Sequence, residues 1–247
     1  MQRWIVSVFF SCFIVLAALL GATLIAIYSG QFLVPARWNP FAPYDIRIPA
    51  GPLTPLQYWR TLHDPQLCRT ALSLTDLHYQ PLADADPPNG CTLHNVVRIS
   101  SGSVRFNHPF LASCPLAIGL ARFESDGLQA AAQASYGQSV REIDHVGSYA
   151  CRAVRTETNR SATSDTGPGG LSQHAHANAI DLSGFVLADG REIAIGPHWK
   201  GDSVSARFLH AVHAGACAAF NTTLGPDYNA LHSAHFHVDM GPYQICR

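Results

Sequence analysis

The stretches Ser172-Gln-His-Ala-His-Ala-Asn-Ala-Ile-Asp181 and His232-Ser-Ala-His-Phe-His-Val-Asp239 decide how this chain is read. In the second, polar and apolar residues alternate from His235 to Met240, the pattern of a strand with one buried face. Alternation puts His235, His237 and Asp239 on the same side of it. An H-x-H pair on an apolar strand is, by itself, more often two satisfied histidines than a pair of metal ligands. The first stretch shifts that balance. Small Ala175, Ala177 and Ala179 alternate with polar residues between His174 and Asp181, the pattern of close backbone approach around a ligand-bearing turn. Two imidazoles on a strand face, met by a His and a carboxylate from another segment, are the ligand types of a catalytic zinc site. Such a site takes three protein ligands and keeps a fourth position open.

Outward from these stretches, short helical and strand patterns predict one α+β domain over residues 56–247, an antiparallel sheet with flanking helices. A helical region runs from Pro55 to Leu74, interrupted at Asp64-Pro65. Val96–Ile99 and Ser103–Phe106 form a hairpin. Ser113-Cys-Pro115 opens a helix toward Tyr136, with Ser as N-cap and Pro in the first turn. Val140 to Arg152 reads as a strand, Gly184 to Ile195 as two strands around Ala188-Asp-Gly190, and Asp202 to Phe220 as a helix. His210 and His213 on that last helix read as solvent-facing, and His176 as pointing away from the ligand positions.

At the N-terminus, Trp4 to Tyr28 is a run of 25 residues without a charge. As a helix it spans roughly 37 Å at about 1.5 Å per residue, enough for a bilayer core. The run is longer than the apolar region of a cleaved signal peptide and leads into no clear cleavage motif. Residues 1–29 therefore read as a transmembrane signal-anchor. Residues 30–55 carry six prolines interleaved with Trp38, Phe41 and Tyr44, which excludes helix and suggests an extended stalk lying against a protein or membrane surface.

Flanking arginines leave the orientation of the anchor nearly balanced. Cysteines decide it. Of seven, Cys12 lies in the apolar run, leaving Cys68, Cys91, Cys114, Cys151, Cys217 and Cys246. An even, widely spaced set without C-x-x-C fits disulfides in an oxidising compartment, which places the C-terminal domain in the periplasm, on a single-pass inner-membrane protein. Cys68–Cys91 is the one pairing expected. The formal net charge of −1 offers no field for nucleic acid or an acidic lipid surface, and apolar residues along the whole chain exclude disorder. Eight of the 13 histidines fall from His174 onward, so the chemistry is expected in the last third.

These residues also carry a resemblance. Ser172, His174, Ala179 and Asp181, followed downstream by His235-Phe-His237, resemble the S-x-H-x-x-G-x-A-x-D and H-x-H signature of the zinc peptidases grouped with lysostaphin, D-alanyl-D-alanine carboxypeptidases and Hedgehog; Ala177 stands where the glycine usually does. More closely, Arg37-Trp-Asn-Pro40, Gly147-Ser-Tyr-Ala-Cys-Arg152, Gly184-Phe-Val-Leu-Ala-Asp-Gly190 and Leu224-Gly-Pro-Asp-Tyr-Asn229 resemble bacterial extensin-like C-terminal domain proteins.

The resemblance implies a Hedgehog/D-Ala-D-Ala peptidase-like fold with His174, Asp181 and His237 as ligands of Zn²⁺. It implies His235 as general base or stabiliser of the tetrahedral intermediate. Relatives carry a glutamate near this point and this chain does not, so Glu157 and Asp227 stand as alternative bases. Arg152 is expected to hold a substrate carboxylate or an oxyanion. Ser172 is expected to bind substrate or the backbone of the ligand turn, and His232 to line the cleft. Asp239 is the partner of a ligating His, or alternatively a ligand in place of Asp181. A Ser-His-Asp triad is excluded by the absence of a G-x-S-x-G elbow.

The expected function is membrane-anchored, zinc-dependent hydrolysis of amide bonds in peptidoglycan peptides. The rivals are a zinc-bearing, non-catalytic module that binds wall peptide or protein, and a structural envelope protein whose histidines bind no metal.

Overall fold

The computed structural model describes residues 2–155 and 170–247. The chain opens with α1 (Gln2–Tyr28), which from Phe9 to Tyr28 is long and apolar enough to cross a membrane. Helix α2 (Thr54–His63) and α3 (Pro65–Leu72) follow the proline-rich segment. They break at Asp64, whose carboxylate accepts from the backbone N–H groups of Gln66 and Leu67 at 2.8 and 3.0 Å while Pro65 occupies the first turn.

Strands β1 (His78–Pro81), β2 (Val96–Ser101) and β3 (Arg105–Ser113) lead into α4 (Cys114–Arg122), and a π-helical turn over Phe123–Leu128 joins it to α5 (Gln129–Tyr136). Strands β4 (Val140–Gly147), β5 (Ala179–Leu187) and β6 (Glu192–Ala194) follow, then α6 (Ile195–His198), α7 (Val204–Ala219), β7 (Thr222–Leu224), β8 (Phe236–Asp239) and β9 (Ile245–Cys246).

The strands form one sheet in the order β1-β2-β3-β4-β5-β8-β7-β9, with β6 on β5. The expectation of an antiparallel sheet needs correcting, because β3 with β4 and β7 with β9 run parallel. A parallel neighbour needs a crossover, and the α4–α5 helical region between β3 and β4 supplies it. The fold is mixed α+β with a multi-stranded sheet. Its core gathers Ile99, Ile118, Leu120, Phe123, Ile143, Phe185, Phe208 and Phe236, all at most 1% exposed.

Alternation along the central strands divides two roles. Ile180, Leu182, Phe236 and Val238 enter the core, so Asp181, His237 and Asp239 emerge on the opposite face. Register completes the arrangement: Asp181 lies directly opposite His237, and Ala179 opposite Asp239. A slip of one residue would bury these polar groups and expose the core set.

Two expectations fail here. The strand from Val140 ends at Gly147 instead of Arg152, after three register shifts in its ladder with β5. The proline-rich segment lies against a protein surface, as its aromatics suggested, but that surface is the domain itself and the segment does not stand off as an extended stalk. Gln57 Nε2 donates to the carbonyls of Ala36 and Asn39 at 2.7 and 2.8 Å, and the backbone N–H of Tyr44 donates to Thr61 Oγ1 at 3.0 Å. Tyr44 and Ile46 pack on the core. Proline removed helix as an option, but buried partners on α2 offered the segment something to fold against.

The disulfides are Cys68–Cys114, Cys91–Cys151 and Cys217–Cys246, so the expected Cys68–Cys91 pair is wrong. Neighbourhood in sequence misleads because α3 packs Cys68 against the start of α4. The loop before β2 carries Cys91 instead to the segment that follows β4. Cys12 is free and exposed on α1.

Candidate metal centre

Three elements deliver the expected ligands. A 3₁₀ turn, Gln173–His176, carries His174, β5 carries Asp181 and β8 carries His237. Ser172 is the N-cap of the turn, its hydroxyl accepting from the backbone N–H of His174 at 3.3 Å. Of the two roles expected for Ser172, the structure thus shows the backbone one. Ala177 closes the turn at φ +50°, a left-handed conformation that costs an L residue about 1–2 kcal/mol. A glycine at this position would avoid this cost. His176 points away, with Nδ1 3.1 Å from the carbonyl oxygen of Thr92.

The three ligand atoms form a tight triangle. His174 Nε2 is 3.1 Å from His237 Nδ1 and 3.3 Å from Asp181 Oδ1, and His237 Nδ1 is 2.9 Å from Asp181 Oδ1. Ligands about 2.0–2.1 Å from a tetrahedral Zn²⁺ stand about 3.3 Å apart, so the triangle matches that ion.

The tautomers agree. His174 Nδ1 lies 3.0 Å from the carbonyl oxygen of Ser148, which can only accept, so the proton sits on Nδ1 and Nε2 presents a lone pair. His237 Nε2 lies 3.1 Å from Asp239 Oδ2, so it donates there and leaves Nδ1 facing the same point. Asp239 is held in turn, its Oδ1 accepting from the backbone N–H of Gly241 at 2.7 Å. A carboxylate or carbonyl behind each ligating imidazole is the usual support of a metal site. In this geometry Asp239 stands behind His237, and Asp181 forms part of the triangle itself.

Two lone pairs and a carboxylate aimed at one point call for a cation. Burial disfavours charge on His237, yet hydrogen bonds to Asp181 and Asp239 prevail and push its pKa up to about 9. Burial likewise raises Asp181, but the neighbouring His174 and His237 imidazoles hold it well below the ordinary carboxylate range. In the protein alone, a proton on His237 therefore takes the position of a metal ion.

Around the triangle, His235 Nε2 stands 3.6 Å from Asp181 Oδ1. Burial lowers its pKa, more than the Asp181 charge restores, and so favours the neutral imidazole. His232 reaches the cluster too, its ring centroid 5.3 Å from that of His235 and 5.9 Å from that of His237. Burial first, then the two neighbouring imidazoles, depress it to about 4. Asn229 Oδ1 accepts from its Nδ1 at 2.7 Å, an orienting contact the sequence reading missed. The only cue was an Asn three residues before a His.

Arg152 is half-buried on the segment stapled by Cys91–Cys151, which runs beside the ligand turn. The Ser172 N–H donates to the Arg152 carbonyl at 3.0 Å, and the Ala150 N–H to that of His174 at 3.1 Å. Burial and the nearby Arg155 lower its pKa, while the charge of Asp181 raises it, so the guanidinium feels the triangle's carboxylate. Asp227 exerts its charge on His213, away from the triangle, and Glu157 and the loop 163–169 lie outside the described residues. His210 is exposed, as expected, with its ring beside Trp199, whereas His213 is half-buried between Trp199 and Phe236 and does not face solvent as expected. His213, Cys217 and Cys246 also approach one another, but their sulfurs are joined in a disulfide.

Comparison with curated proteins and with solved structures gave no match. The family model of the extensin-like protein C-terminus, by contrast, matches residues 66–247, which include every member of the triangle and both histidines beside it, and the chain belongs to that family.

Proposed function

We propose that the protein is a membrane-anchored, zinc-dependent hydrolase that cleaves amide bonds of peptidoglycan peptides in the periplasm. The convergence of His174 Nε2, Asp181 Oδ1 and His237 Nδ1 within 3.3 Å of one another, the two imidazoles turned inward by the Ser148 carbonyl and Asp239 behind them, carries this reading. Kinship with the lysostaphin and D-alanyl-D-alanine carboxypeptidase group is part of the proposal and rests on the S-x-H and H-x-H residues. Three disulfides support an oxidising compartment and the apolar α1 a membrane anchor.

Zn²⁺ held by the triangle would supply a Lewis acid for an amide carbonyl and lower the pKa of water at its open position to about 7. The residues around it divide the remaining work. His235, neutral and beside the triangle, accepts the proton of the attacking water and returns it to the leaving amine. Arg152 holds a substrate carboxylate or the developing oxyanion. Asn229 keeps the proton of His232 on Nδ1, so its Nε2 faces the cleft as an acceptor for a substrate N–H.

The test incubates the full chain with purified sacculi, with zinc or with a chelator, and resolves released fragments by mass. Zinc-dependent fragments that disappear in His237→Ala are expected. Fragments released undiminished by that variant would refute the ligand assignment, and stoichiometric zinc without fragments would establish a binding module instead.

A further inference from the structure

The segment between α1 and α2 has two unlike sides. Helix α1 stops at Gly30, which takes φ +73°, with the Gly30 N–H donating to the carbonyl of Ile27 at 3.1 Å and that of Phe32 to Ala26 at 3.0 Å. Just past this cap, Phe32 is 65% and Leu33 92% exposed, and Tyr28 and Trp38 also stand open. The guanidinium of Arg37 lies 5.7 Å from the centre of the Trp38 ring. Apolar and aromatic side chains flanked by arginine, directly after an apolar helix, are the composition of a membrane–water interface.

The other side is bound to the domain. Gln57 grips the carbonyls of Ala36 and Asn39, and Arg60 Nη1 donates to the Pro40 carbonyl at 2.6 Å. The Arg60 guanidinium also sits 5.7 Å from the Phe41 ring, which packs edge-on to Tyr28 at 5.3 Å. The last residue of α1 is thereby linked through one ring to α2. An extended tether would make none of these contacts.

We propose that residues 28–41 form a collar lying in the headgroup layer of a lipid bilayer, which holds the domain against the membrane surface rather than at the end of a stalk. The inference rests on α1 spanning the bilayer, as in the function proposed above. Stretched out, residues 30–55 would reach roughly 80 Å at about 3.1 Å per residue. Folded as a collar, they confine the metal centre to about one domain diameter, roughly 35–40 Å, of the bilayer. Its substrate is therefore a peptide presented close to the membrane.

The test uses the full chain carrying Cys12→Ser and Lys200→Cys, with a donor dye on the new thiol. The host is nanodiscs of phosphatidylethanolamine and phosphatidylglycerol containing an acceptor-labelled lipid. Lys200 is exposed on the domain. Two variants are compared with it: Phe32→Asp with Leu33→Asp, and replacement of residues 30–53 by a Gly/Ser linker of equal length. Such a linker lets the domain wander by about 27 Å, so energy transfer to the lipid is expected to fall roughly twofold. The double Asp variant, which touches no part of the domain, should lose transfer similarly while its unfolding temperature stays the same. Equal transfer with collar and linker, or undiminished transfer in the double Asp variant, would overturn the collar. So would an intact mass showing that α1 has been removed. Zinc-dependent release from sacculi, measured on the same preparations, reports on the hydrolase reading separately.

Discussion

Replacing Asp239 by Asn probes the centre without touching a ligand. The two oxygens of Asp239 are both committed, Oδ1 to the Gly241 N–H at 2.7 Å and Oδ2 to His237 Nε2 at 3.1 Å. Asn keeps the shape and the first contact through its own oxygen, which turns the amide NH₂ toward His237. An amide donor facing Nε2 forces that nitrogen to accept, and the imidazole proton moves to Nδ1, the atom aimed into the triangle. Loss of a carboxylate behind a ligating His costs about 10–100-fold in metal affinity, and an inverted tautomer puts this case at the upper end, about 2.7 kcal/mol.

Zinc affinity, measured by chelator competition on the full chain in detergent, should fall about 100-fold while circular dichroism is unchanged. The same substitution removes one of the two carboxylates that raise His237, so the metal-free variant should also lose the imidazole titration near 9. A folded Asp239→Asn protein that binds zinc within about twofold of the parent would refute the assignment of Nδ1 as the metal-facing atom.

Ser172→Ala removes the hydroxyl that caps the ligand turn and should lower stability by about 1 kcal/mol, or roughly 2–4 °C in Tm, with zinc affinity reduced and KM on wall fragments unchanged. A raised KM at full stability would make Ser172 a substrate contact after all. Glu124, in the π-turn between α4 and α5, is 4% exposed, and burial raises its pKa to about 7 against hydrogen bonds from Ser103 and Val104. The folded state thus favours its protonated form, so its stabilisation is full below about pH 4.5 and is lost as pH rises to about 7. Denaturant unfolding of the parent should weaken by about 3 kcal/mol more than that of Glu124→Gln over this range. A parent–variant difference that stays flat with pH would rule out the buried acid.

Much of the fold was legible locally because local chemistry decided it. Ser113-Cys-Pro115 announced a helix start and Asp64-Pro65 a break between helices, since a side-chain acceptor before a proline satisfies backbone donors that nothing else reaches. Alternation from His235 to Asp239 placed three polar side chains on one face whatever the neighbouring strand. The parallel β3–β4 pairing was not legible, because partners of a strand are chosen across a crossover and by the helices that cover it.

For the candidate site, residue types and spacing picked out the two stretches that hold His174, Asp181, His232, His235, His237 and Asp239, and the resemblance named His174, Asp181 and His237 as ligands. They did not say which ring nitrogen faces inward. That depended on the Ser148 carbonyl and on Asp239 lying behind the rings, long-range facts set by the Asp181–His237 register. Nor did the spacing of six cysteines reveal their partners, since a disulfide joins whatever packing brings within reach.

The amino-acid order alone determined an apolar helix, a cystine-bearing α+β domain and a stock of metal-binding side chains, because hydrophobic period, capping and ligand type act over a few residues. Tertiary structure alone decided that these side chains meet with their lone pairs converging, and that a proline-rich segment packs against α2. Both depend on contacts between residues distant in the chain, whose free energy exists only once the sheet and α2 have formed.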